Sequence, residues 1–198
     1  SGGTFNTASF TMLGTTTPAG NNSFVLNSGG TLGIGSANGI TTAGTASGSI
    51  QSLVRTFNVG GNYTYNGTGN QNTGTGLPNN LTGNLTIDNP GNTVTLTPAK
   101  TIANGGDVLL TNGVFAASTN LTMASTSTIT RSGGSMTGNP QGAGVYNVVY
   151  TGNNKTTGSE LNGTGLNNIT LSLTAGQTVT LGAAVTMDGT MTIGSGST

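Results

Sequence analysis

Three short alternations of apolar residues and threonine recur in one order between Val94 and Arg131. Val94 and Val114 lie about 20 residues apart, as do Ile102 and Leu121, and Leu109 and Ile129. A chain that repeats three strand-like segments at one spacing points to successive coils of a three-faced solenoid. Each coil would set its apolar side chains above those of the coil before it. Alternation gives a strand one dry face and one wet face. A longer period overlies the short one. Tyr65 to Tyr150 and Val94 to Val179 are both steps of about 85, or roughly four coils.

The expected fold is therefore all-β, a parallel β-solenoid (β-helix) with right-handed winding. The alternative is a pair of tandem β-sandwich modules of about 85 residues. The absence of Trp weighs against immunoglobulin-like sandwiches, which usually bury one. Three regions follow: an N-terminal solenoid segment at 1–60, a first repeat copy at 61–145 and a partial second copy at 146–198. Strand candidates before residue 60 are Phe10–Met12, Phe24–Leu26, Leu32–Ile34, Ile50–Val54 and Thr56–Val59. Gly29-Gly30 and Asn38-Gly39 mark turns, and residues 15–22 read as a longer loop.

Composition agrees with a stack. Gly and Asn suit frequent tight corners. Asn and Thr at equal positions of neighbouring coils can form side-chain ladders. Like charges stacked at about 4.8 Å would repel, and charged residues are only 4 % of the chain. The net charge is zero, so there is no basic face for nucleic acid and no polybasic segment for an anionic membrane. No apolar run approaches the length of a bilayer span. Cysteine is absent, which leaves stability to hydrogen-bond ladders and stacked apolar rows. The termini read as cuts within a longer mature polypeptide. The apolar ends of the stack are expected to be covered by neighbouring segments of that polypeptide or by like chains.

Chemistry-bearing residues are few. There is no His, and the four acids are scattered, so no catalytic, cofactor or metal site is assigned and no enzyme activity is expected. Asn104-Gly105-Gly106-Asp107 resembles one unit of a calcium-binding nonapeptide repeat. Such repeats need serial copies, and an ordinary glycine turn is the simpler reading. Thr93/Thr95/Thr97 and Thr178/Thr180 raise a remote ice-binding option, but outward β-branched residues are common on any strand. Tyr63, Tyr65, Tyr146 and Tyr150 are the candidates for a surface contact, stacking on sugar. The rival reading places them over core edges with their hydroxyls in water.

The stretch Asn62-Tyr63-Thr64-Tyr65-Asn66-Gly67-Thr68, followed by Gly76-Leu77-Pro78, Asn84-Leu85-Thr86-Ile87-Asp88-Asn89 and Val94-Thr95-Leu96, resembles a repeat segment of giant Bacteroidota surface adhesins and fibrous appendage proteins exported by type IX secretion. Phe24 to Thr41 is similar to the segment that precedes it there. In the second copy, Gly165-Leu166-Asn167 lacks the proline. The resemblance implies an extracellular, cell-surface location and an adhesive or structural role. It implies export by a signal outside this stretch. The expected function is a stiff spacer or filament wall. The alternative is a module that binds surface polysaccharide or another cell.

Overall fold

The computed structural model describes residues 2–8, 11–13, 23–42 and 47–194. Its strands follow one another around successive coils. The first coils hold β1 (Thr4–Asn6), β2 (Met12–Leu13) and β3 (Ser23–Leu26), then β4 (Thr31–Ile34), β5 (Ile50–Gln51) and β6 (Val54–Phe57). Next come β7 (Asn62–Tyr65) and β8 (Gln71–Asn72), β9 (Leu85–Thr95) and β10 (Lys100–Ile102), and β11 (Asp107–Ala116) and β12 (Leu121–Met123). The later coils hold β13 (Thr128–Arg131), β14 (Ser135–Thr137) and β15 (Gln141–Gly142), then β16 (Tyr146–Gly152) and β17 (Lys155–Thr156). Last are β18 (Leu166–Leu173), β19 (Val179–Thr180) and β20 (Met191–Ile193). A 3-10 turn, Ser159–Leu161, lies between β17 and β18.

Every strand pairing among the described residues is parallel. The chain is a parallel β-solenoid, and the sandwich alternative fails, because sandwich sheets are antiparallel. The principal sheet runs β1-β4-β7-β9-β11-β13-β16-β18-β20. Its pairings β4–β7 and β13–β16 cross both boundaries expected at residues 60 and 145, so the ladder is continuous there.

The registers set two inward rows on this face. One is Phe5, Leu32, Tyr63, Leu85, Val108, Ile129, Val148, Ile169 and Met191. The other is Ile34, Tyr65, Ile87, Leu110, Arg131, Tyr150, Leu171 and Ile193. Between the ends these side chains are buried. A second face stacks Gln71, Val94, Phe115 and Met136. A third stacks Ile102 on Met123.

The registers also correct the spacing read from the sequence. Val94 pairs with Phe115, not Val114; Ile102 pairs with Met123, not Leu121; Val108, not Leu109, pairs with Ile129. The true step here is 21 residues. A one-residue slip turns a strand residue to the opposite face, which is why Val114 and Leu109 are only half-buried while Phe115 and Val108 lie inside. Tyr65 and Tyr150 do share one row, four coils apart. Val179 does not continue Val94's ladder: it pairs with Lys155 in a separate two-stranded sheet. Gly29 and Gly39 turn at positive φ, as expected. Phe10 and residues 15–22 lie outside the described residues.

Asparagine has a specific task at the corners. The side-chain oxygen of Asn62 accepts the backbone N–H of Asn84 at 3.0 Å, that of Asn70 accepts Thr93 at 2.9 Å, and that of Asn79 accepts Thr101 at 2.8 Å. Asn154 does the same for Thr178 at 2.6 Å, and Asn168 for Thr190 at 2.8 Å. Each bond reaches from one coil to the next, at Asn84, Thr178 and Thr190 just before a strand, at Thr101 near a strand's start, and at Thr93 after the Pro90-Gly91 corner within β9. Such a side chain supplies an acceptor where the corner breaks the backbone ladder, as an N-cap does for a helix.

Candidate functional site

The tyrosines proposed as a surface patch are all inside. Tyr63, Tyr65, Tyr146 and Tyr150 are 0 % exposed. Tyr63 and Tyr65 alternate with outward Asn62 and Thr64, so the Tyr-x-Tyr spacing did place both on one face of the strand. That face is the core. Nor are the hydroxyls in water. Tyr63 donates to the Asn58 carbonyl at 2.7 Å and Tyr65 to the Thr73 carbonyl at 2.7 Å. A buried phenol is kept by one such partner. The signal for burial was present: Tyr63 and Tyr65 stand one coil below the apolar pair Leu85 and Ile87.

Tyr146 and Tyr150 belong to a polar cluster that the sequence reading missed. Arg131 ends β13 in an inward position, since Thr-Ile-Thr-Arg alternates and Ile129 points in. It is stacked between Leu110 and Tyr150. Its guanidinium donates to the carbonyls of Gly134 and Thr156 and to Glu160 Oε1, the last at 2.7 Å. Glu160 is 0 % exposed and sits in the 3-10 turn. Its Oε1 also accepts the Tyr150 hydroxyl at 2.8 Å and the Gly158 N–H at 2.9 Å, and its backbone carbonyl accepts the Tyr146 hydroxyl at 3.0 Å. Oε2 has no partner. The signal for Arg131 lay in its parity with Ile129. Glu160 gave none, because a 3-10 turn carries no strand alternation.

Burial sets the acidity of these groups. Desolvation pushes the Tyr146 phenol up to about 12, a backbone hydrogen bond at Gly163 partly opposing it. Tyr150 is raised further, by desolvation first and then by the charge of Glu160. Tyr63 and Tyr65 are raised by desolvation as well. A phenol with a raised folded pKa stabilises the fold fully below its ordinary value of 10.0 and loses that contribution as pH climbs past it. All four tyrosines of the chain act in the same direction. Alkaline titration is therefore expected to show no phenolate absorbance until the solenoid unfolds, both signals rising together above about pH 10. Phenolate forming while the circular dichroism stays native would contradict the burial.

Asp107 and Asp88 bond across coils, whereas Arg55 and Lys155 bond within their own. Asp107 Oδ1 accepts the Thr128 N–H at 2.9 Å, so the Asn104–Asp107 segment is a glycine turn whose carboxylate serves the next coil. Gly105 takes positive φ there. Asp88 accepts from Asn112 at 2.7 Å. Arg55 donates to the Ser52 and Thr41 carbonyls and to the Thr41 hydroxyl. Lys155 donates to the carbonyls of Thr151 and Asn153, and its pKa is lowered by desolvation and then by Arg131. Among the described residues no group of three or more acidic side chains is gathered as a metal site would require.

An open groove of about 410 Å³ is lined by Asn38, Thr41, Asn72, Thr75, Thr97 and Pro98. On the principal face an outward row runs Thr64, Thr86, Leu109, Thr130, Val149, Thr170 and Thr192. Leu109 and Val149 interrupt its threonines. No helix among the described residues is long and apolar enough to cross a membrane. No protein-family model, curated protein or solved structure matches the chain.

Proposed function

We propose that this chain is a structural segment of a large extracellular adhesin or filament, where it acts as a stiff, non-catalytic spacer. The observation that carries the reading is the unbroken parallel ladder from β1 to β20. It is filled by two continuous side-chain rows and locked at the corners by asparagine. Such a stack resists bending and lateral shear because every coil is hydrogen-bonded to both neighbours. Two carboxylates reinforce it from coil to coil: Asp107 accepts from Thr128 and Asp88 from Asn112. The resemblance to surface adhesins adds the extracellular location.

Immunogold labelling of the intact cells that make this protein, with antibody against the 198-residue chain, tests the reading. Gold is expected on surface fibres. Gold confined to the cell interior overturns it.

A second reading is supported by the groove at Asn38, Thr41 and Asn72. Its neutral amides and hydroxyls, with Pro98 as an apolar plate, suit the hydroxyl groups of a neutral polysaccharide. With the tyrosines buried, a carbohydrate-binding role rests on this groove.

A further inference from the structure

The chain contains five Asn-Gly pairs: Asn38-Gly39, Asn66-Gly67, Asn104-Gly105, Asn112-Gly113 and Asn162-Gly163. In such a pair the glycine's backbone nitrogen can attack the asparagine carboxamide, since no Cβ hinders the approach. The reaction needs that nitrogen unbonded and the carboxamide free to swing toward it.

The fold withholds one or the other from four of the pairs. The Gly39 N–H donates to the Ser36 carbonyl at 2.9 Å, and the Gly67 N–H to Gln71 Oε1 at 2.9 Å. The Asn112 carboxamide donates to Asp88 Oδ1 at 2.7 Å. The Gly163 backbone bonds the Tyr146 hydroxyl, which packs 2.5 Å from where a Cβ on Gly163 would stand.

Asn104-Gly105 differs from all of these. Both residues are exposed, in the turn between β10 and β11. The Gly106 N–H closes that turn on the Ala103 carbonyl at 3.0 Å, which leaves the N–H of the residue inside it unbonded. Among the described residues neither the Asn104 carboxamide nor the Gly105 N–H has a hydrogen-bond partner. Gly105 turns at φ +87, with nothing within 4 Å of its Cβ position.

We propose that Asn104 is a site of spontaneous covalent modification, the deamidating position of the folded chain. The Gly105 nitrogen gives up its proton and bonds to Asn104 Cγ. The Cγ–Nδ2 bond breaks, and ammonia leaves carrying the proton. Water then opens the cyclic imide at one carbonyl or the other, giving isoaspartate or aspartate. Each event adds a negative charge to a chain whose net charge is zero. The stack is spared, because the Asp107 bond to Thr128 and the β10–β12 and β11–β13 pairings all lie outside residues 103–106. This chemistry is independent of the spacer role.

Ageing the full chain at mildly alkaline pH, followed by digestion and mass spectrometry, tests it. Amide-to-acid conversion is expected at Asn104 first, with the isoaspartate isomer identified by electron-transfer fragmentation. Asn104→Gln is expected to lose this product while keeping the parent's circular dichroism. In guanidinium chloride the corner bonds are gone, and all five pairs should convert at similar rates. The proposal is overturned if another pair converts first in the folded chain, or if the folded chain stays intact while the unfolded one converts. It is overturned equally if the lead of Asn104 persists in denaturant, which would trace it to local sequence and not to the fold.

Discussion

Glu160→Ala is expected to destabilise the chain by about 3–5 kcal/mol, the cost of leaving one member of a buried ion pair without its partner. For a chain of this size that corresponds to a fall in melting midpoint of roughly 6–20 °C. The reason lies in the geometry. Arg131 occupies a row otherwise filled by Leu110, Tyr150 and Leu171, and its charge is buried with a single acidic partner. Remove the carboxylate and the guanidinium keeps only the Gly134 and Thr156 carbonyls. The Tyr150 hydroxyl and the Gly158 N–H lose their acceptor at the same time.

The companion variant separates charge from packing. Arg131→Leu with Glu160→Leu removes both charges and extends the apolar row. It should recover much of the loss, since buried pairs replaced by apolar residues are often neutral or better. Adding Tyr150→Phe removes one of the remaining unpaired donors and should recover more. Urea denaturation of the four proteins measures this. A Glu160→Ala protein as stable as the parent would show that the cluster has no structural weight.

A larger effect is expected from cutting the chain at two different lengths. Deleting residues 107–127 removes one 21-residue coil and joins Gly106 to Thr128, which stands in the place of Asp107 in the next coil. The inward rows close up, Ile87 meeting Arg131 where Leu110 had stood, and β9 pairs with β13. The shortened chain should fold with its circular dichroism intact and be about 4.8 Å shorter along the axis. Deleting only Asp107–Ala116 removes one long strand and leaves half a coil. The chain after the cut would then meet the wrong face, with polar residues turned inward and apolar ones outward. That protein is expected to lose its fold beyond the cut and to aggregate or be digested. Equal damage from the two deletions would contradict the equivalence of coils on which the solenoid depends.

Strand existence was legible in the sequence because alternation is a local property. Phe24–Leu26, Leu32–Ile34 and Val94–Leu96 carry it in their own residues, and each contributes to a strand or borders one. Parallel stacking was legible from recurrence. The register was not, because adjacent candidates such as Val108 and Leu109 are both apolar, and only the neighbouring coils decide which turns inward.

The polar interior was the least visible part. Tyrosine has an apolar body and a polar tip, so its preference does not choose between core and surface. Gln71 is similar: it stands in an inward row below Val94, where its amide donates to the Ile34 and Ser36 carbonyls and accepts from Gly67 and Asn89. No local pattern marks a glutamine whose partners are 37 and 18 residues away. Glycine at corners was easier. Gly113 turns at positive φ, and a Cβ there would sit 2.2 Å from the Asn89 carbonyl oxygen of the coil below. Both facts are what a tight, stacked corner demands.

The placement of β1 and β20 at opposite edges of the sheet has a mechanical corollary. Backbone bonds between coils point along the stack, so tension applied to the two ends opens them a few at a time rather than shearing all of them together. The outermost winding yields first, then its neighbour. The coil from Thr31 to Asn62 would release about 100–110 Å of chain and the coil from Ile169 to Met191 about 75 Å. Under bending the rod holds its shape; under tension it unspools one coil at a time, in steps set by each coil's own length.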